Sequence, residues 1–313
     1  MILTNRNVGV DLLRCLLVYG ICAYHAFFVG GYANGYESRM WTWCVPGFAL
    51  VSGYFGVAFR LSKLIRLWAM AFLCFAIPMV MGGDLFELVC QCWYLHAYTI
   101  LLLLSPLINA GIEKGVAEQR YGWLIGVMVL GIWSWFTEWA PVRAFVPKPA
   151  GLGMLSFTSV LVAYVLGRVY RLCPRIGERI RLWWMIPLLL LMPFCGHYTS
   201  PVTLVFVITL FKFFEKIELG PKCSKIVSCV AASGFAVYLL HANWQVLPLM
   251  GDLSRYLIVD AHLPRYFGLM ISSAIVWSAC ILLYLCGLVI FMPFRGLYVR
   301  ILDWCDAKVR GVM

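Results

Sequence analysis

The sequence predicts an all-α protein, a polytopic bundle of about ten transmembrane helices with both termini in the cytoplasm. Three observations carry this expectation. Of the 313 residues, 63% are hydrophobic and only 12% are charged, where a soluble domain carries about 25% charged residues. Apolar stretches near the roughly 20 residues needed to cross a bilayer recur from end to end. Lys and Arg crowd into alternate connections between those stretches. A water-soluble fold is excluded, because too few polar residues are present to cover its surface. Intrinsic disorder is excluded too, and so is a soluble enzyme on one anchor. Residues 1–313 read as one membrane domain.

The first span, 8–29, is too long for the apolar core of a signal peptide. No small-residue cleavage site follows it, so it is expected to remain as a helix. Spans at 41–59 and 64–82 come next, with Arg60, Lys63 and Arg66 at their tight connection. The fourth, fifth and sixth fall at 88–109, 121–139 and 151–170. A short seventh at 182–196 and an eighth at 199–215 are again closely joined. The ninth covers 226–247, and the tenth, 266–294, is long enough to tilt or bend.

Orientation follows from the basic residues. With the N-terminus inside, 19 of the 25 Lys and Arg lie on the inner side and five outside, with Arg14 inside a span. The formal charge of +11 is therefore an orientation signal, and nothing in it calls for nucleic acid. The expected location is the inner or plasma membrane, crossed many times, with lipids as partners. The 13 Cys lie mostly within spans, where a thiol behaves as a small apolar group. There is no Cys-x-x-Cys pair, and Cys90 and Cys92 point apart on a helix, so neither a disulfide framework nor a metal site is expected.

The informative residues are those a membrane should exclude. An ionisable side chain within a span costs at least ~2.5 kcal/mol on insertion scales, so it faces a cavity or a partner. The first span carries Asp11, Arg14 and His25. Eleven steps separate Arg14 from His25, about 1100° of rotation, which returns to within roughly 20° of the same face. Their axial separation is roughly 16 Å. Asp11, one turn before Arg14, can pair with it. Two readings are open: Arg14 snorkels to the inner headgroups while His25 only packs, or both line a functional cavity. All five His fall on the outer side of this topology, with His25, His96 and His241 in the outer halves of three spans. Imidazoles at one depth suit the lining of a proton-handling site. On the inner side, Arg60, Lys63 and Arg66 either report topology alone or hold an anionic phosphate group. Taken together, a phosphate-bearing donor would dock at the inner basic residues. Its arm, about as long as a pantetheine, would reach His25.

Five stretches stand out in order: Arg6-Asn7-Val8-Gly9-Val10-Asp11-Leu12-Leu13-Arg14 through His25, with its Arg-x10-His pair; Phe48-Ala49-Leu50-Val51-Ser52-Gly53-Tyr54-Phe55; Arg60, Lys63 and Arg66; Trp93-Tyr94-Leu95 through Ser105-Pro106; and Tyr238-Leu239-Leu240-His241. Together they resemble the acyltransferase family 3 membrane proteins, the first being similar to that family's opening helix and the second to its second-helix motif. The resemblance covers most of the chain. Ala49 replaces a usual Phe, His96 is not among the family's familiar histidines, and no fused hydrolase domain is expected.

The resemblance implies a membrane O-acyltransferase. It would take acetyl, or another short acyl group, from cytoplasmic acetyl-CoA to a hydroxyl of an extracytoplasmic glycan, free or lipid-linked. Arg14 and His25 carry over as the essential pair, with Asp11 orienting Arg14. Arg66, Arg60 and Lys63 would meet the coenzyme. His25 suits the general base that an attacking alcohol needs; an acyl-histidine intermediate is the less favoured route. Ser52, Trp93, Tyr94, His96 and His241 are candidate substrate contacts. Ser52 has a plainer role beside Gly53 in close helix packing. The outer aromatics Tyr32, Tyr36, Trp41, Trp43, Trp133, Trp135, Trp139 and Trp244 read first as an interfacial belt, with a minority stacking on sugar. The alternative is a transporter or flippase for a glycan or anionic solute, with Arg14 and His25 as substrate or proton-relay groups.

Overall fold

The computed structural model describes residues 7–30, 35–138, 155–243 and 245–310, and every regular element among them is helical. The first eight helices are α1 Val8–Val29, α2 Gly35–Arg39, α3 Cys44–Phe55, α4 Leu61–Val80, α5 Leu85–Gln91, α6 Trp93–Ala117, α7 Gly122–Glu138 and α8 Phe157–Leu172. The second eight are α9 Pro174–Arg179, α10 Met185–Cys195, α11 Pro201–Phe214, α12 Pro221–Ala232, α13 Gly234–His241, α14 Leu247–Arg255, α15 Arg265–Phe291 and α16 Arg295–Arg310. Arg6, Tyr32, Trp139, Arg143, Lys148 and Trp244 lie outside the described residues.

Four helical stretches are long and apolar enough to cross a membrane: α1, α4, α6 and Arg265–Phe294. A fifth is the pair α12–α13, bent by 41° about Ser233. Large apolar side chains stand exposed along α15, among them Leu282, Val289 and Ile290 at 62%, 70% and 67%. Such a surface is stable against lipid and not against water.

Several expected spans differ in form. The 41–59 stretch yields only the 12 residues of α3, roughly 18 Å of helix against a hydrocarbon core of about 30 Å. It stops at Gly56, whose φ of 69° turns its N–H back onto the Ser52 and Gly53 carbonyls. The 88–109 stretch is two helices, α5 and α6, broken at Cys92. Asp84 starts α5 early by accepting from the Phe86 and Glu87 amides. Beyond Arg265–Phe294 the chain continues into α16, which packs on α4.

α1 is the central post. Asn7 caps it, its side chain accepting from the Val10 amide at 3.0 Å. One face enters an apolar cluster through Val10, Leu13 and Leu17 with Phe206 and Phe211 of α11. Another enters a second cluster through Val18, Cys22 and Ala26 with Phe75 of α4 and Leu239 of α13. α3 and α8 pack backbone to backbone. A Cβ at Gly53 would stand 1.9 Å from the Tyr164 carbonyl oxygen, and one at Gly167 2.1 Å from that of Leu50. Backbones approach this closely only where side chains are absent.

Three arginines meet near the C-terminal end of α3. Arg14 lies over the Phe55 ring, Arg171 donates to the Tyr54 hydroxyl, and Arg168 pairs with Glu113. A closed ring of hydrogen bonds fixes the α3–α4 loop there. The Val57 amide donates to the Tyr164 hydroxyl, which donates to Asn109, whose amide returns to the Val57 carbonyl at 2.8 Å. Arg60 stands at the N-cap of α4 without a capping side chain. Asp306 of α16 supplies the acceptor instead, taking the Ser62 amide at 2.8 Å.

Candidate functional site

A cavity of about 830 Å³ runs beside α1. Arg14 and His25 both line it, as their shared helical face requires. Lys63 and Arg66 line it too, together with Gly56 and Val57 of the fixed loop. Both cations are solvent-exposed, so the basic end is open. Lys63 also donates to the Ala58 carbonyl at 3.0 Å. Tyr298 of α16 approaches the same mouth: burial pushes its phenol up, and neighbouring Arg66 pulls it back down.

Arg14 is held from below. Its Nη1 contacts Asp11 Oδ1 at 3.1 Å, and Asp11 Oδ2 accepts from the Ser228 hydroxyl at 2.8 Å. Asp11 is 1% exposed, so it is a buried counter-charge that does not reach the cavity. It pairs with Arg14, as its spacing suggested.

His25 is held from the side. Its Nδ1 lies 2.9 Å from Nε2 of His241, whose own Nδ1 lies 2.6 Å from the Val237 carbonyl oxygen one turn back. His241 is fully buried behind His25. Both ring nitrogens of His241 are thus engaged, and turning either ring over would put a C–H where a nitrogen now stands.

Between the two ends the wall is aromatic and hydroxyl-bearing. Ser52, Trp93 and Tyr94 line it, as do Tyr98, Tyr198 and Tyr238. Ser52 lies against the Tyr98 hydroxyl. Tyr94 stacks on Tyr98 at 6.1 Å, and Trp93 on Tyr198 at 5.9 Å. Tyr98 and Tyr198 were not singled out from sequence, and Tyr238 entered only as the first residue of the motif that ends at His241. Their spacing on helices of mixed apolar character carries no signal until the helices are assembled.

Two candidates stand apart. His96 does not line the cavity: its Nε2 faces the Val89 carbonyl at 3.0 Å and its ring packs near Trp68. It is a satisfied packing histidine, placed there by the break at Cys92. Arg60 is exposed at the helix cap and off the lining. The grouping of three mid-span imidazoles therefore reduces to one pair, His25 with His241. His197 is elsewhere, its Nε2 lying 3.3 Å from Glu138 Oε2. Of the outer aromatics, Trp41 lines the cavity, Trp43 is buried against Phe206, and Trp133 is 45% exposed.

Among the described residues no group of three or more His, Cys, Asp or Glu is arranged to hold a metal ion. No family model, no curated protein and no solved structure matches this chain.

Proposed function

We propose that this chain is an integral-membrane O-acyltransferase of the cell inner or plasma membrane. It crosses the bilayer about ten times with both termini cytoplasmic. It moves acetyl, or another short acyl group, from cytoplasmic acyl-CoA to a hydroxyl of an extracytoplasmic glycan, free or lipid-linked. One observation carries the reading: Arg14, Lys63, Arg66 and His25 line a single cavity, with cations at its open end and an imidazole roughly 16 Å along the same helix. Basic residues at a mouth fit the phosphates of a coenzyme. The tyrosine-lined wall offers hydroxyl partners to the amides of its arm. The imidazole beyond is placed to take the proton of an attacking alcohol. Arg60 would contribute to the mouth's field without touching the donor.

The proposed topology is consistent with Arg14, Arg168 and Arg171 meeting near the end of α3, since all three fall on its inner half or inner side. The shorter helices α3, α10 and α11 would cross with help from flanking turns.

The test is reconstitution in proteoliposomes with acetyl-CoA and a candidate glycan. Acetyl-CoA consumption with an O-acetylated product is expected. His25→Ala and Arg14→Ala should each lower turnover, by about 10²–10⁴-fold for the base. A second reading has one observation in its favour. The bent pair α12–α13 places Ala231, Ala232, Gly234 and Phe235 on the cavity, and broken helices at a central site are common in transporters. Solute flux without acyl transfer would establish that reading and sink ours.

A further inference from the structure

We propose that His241 fixes the tautomer of His25, so that Nε2 of His25 is the basic nitrogen offered to the cavity. The inference rests on the acyltransferase reading for its reaction, though not for the tautomer itself. A carbonyl oxygen only accepts, so the contact with Val237 requires the proton on Nδ1 of His241. A neutral ring protonated there carries its lone pair on Nε2. The 2.9 Å contact then forms only if Nδ1 of His25 holds a proton and donates it. The other nitrogen of His25, Nε2, is left with a lone pair. It makes no hydrogen bond among the described residues, and His25 lines the cavity. In the opposite tautomer two lone pairs would face each other across 2.9 Å.

Orienting partners of a basic histidine are often carboxylates. A carboxylate at this depth would add a formal negative charge inside the membrane. A neutral imidazole anchored to a helix carbonyl gives the same orientation without one. His241 is thus a positioning residue that acts through His25.

In the transfer, the acceptor hydroxyl forms the new C–O bond to the thioester carbonyl carbon and gives its proton to Nε2 of His25. The C–S bond breaks and its electron pair leaves on sulfur. Sulfur takes the proton from Nε2, so the ring returns to neutral and the products are an ester and a thiol. While protonated, His25 keeps its Nδ1–H bond to His241.

¹⁵N-histidine NMR of the full-length protein in lipid nanodiscs tests the assignment directly. His25 and His241 are assigned from His25→Gln and His241→Gln variants. Both rings are expected to be protonated at Nδ1 and bare at Nε2. A proton on Nε2 of His25 would overturn the proposal, whether or not the protein transfers acyl groups. In acetyl-CoA kinetics, His241→Leu should lower kcat by a large part of the about 10²–10⁴-fold owed to a positioned base, leaving KM for acetyl-CoA unchanged. His241→Gln, whose side-chain carbonyl can accept the Nδ1 proton, should recover much of the loss. Full kcat in His241→Leu would overturn the positioning role. Absence of turnover in the wild type would fail the acyltransferase reading alone, since NMR decides the tautomer.

Discussion

Asp11 shows how a single charge is made tolerable inside an apolar helix. One oxygen meets Arg14 at 3.1 Å and the other takes the Ser228 hydroxyl at 2.8 Å, while the side chain is sealed from solvent. Asp11→Ala should therefore lower stability by about 1–3 kcal/mol, the cost of leaving partly buried donors unmatched. Thermal unfolding in detergent measures it, and an unchanged midpoint would contradict the pairing. Arg14 and His25 were legible because eleven residues close three helical turns, a property of one segment. Span position alone did not separate His241 from His96; only the motif resemblance, which takes in His241 and leaves out His96, set them apart. Both are mid-span histidines; one meets His25 from 216 residues away and the other bonds a carbonyl seven residues before it. Only the assembled bundle shows which partner each one meets.

Elements of this protein are positioned by their smallest residues. Gly53→Ala would drive a methyl group into the Tyr164 carbonyl, forcing α3 from α8 at a cost of about 1–3 kcal/mol or more. Gly126→Ala on α7 is the matched control: nothing lies within 4 Å of the added carbon, so helix propensity alone should stabilise by about 0.5–1 kcal/mol. Melting curves of the two variants should shift in opposite directions. The α3–α4 loop gives a second test at this scale. Tyr164→Phe keeps the packing but opens the hydrogen-bonded ring through Val57 and Asn109, and should cost about 1–3 kcal/mol. Asp306→Ala should weaken the start of α4 by roughly 0.5–2 kcal/mol, the range for a lost cap. Faster hydrogen exchange at the Ser62 amide would report it. The Ser-Gly pair of α3 was legible as a close-packing device. Its partner on α8 and the remote cap from α16 were not, because each contact joins segments far apart in the chain.

At the scale of the molecule, the proposed topology is open to direct measurement. In a background lacking the native cysteines, Glu113→Cys and Gly35→Cys should react with membrane-impermeant reagents from opposite sides. Labelling of both from one side would break the orientation. The sequence determined the building material: 63% apolar residues in recurring runs make apolar helices, several of them long enough to cross a membrane. It also determined which helical face of α1 carries Arg14 and His25. Only the tertiary structure decided which runs are long enough to cross unaided, where they break, and which distant side chains meet on one cavity. The physical reason is range. Hydropathy and helical periodicity are local and are written within each segment. Partners such as His241 and His25, or Tyr164 and Val57, are chosen by packing between segments, and no single segment encodes that alone.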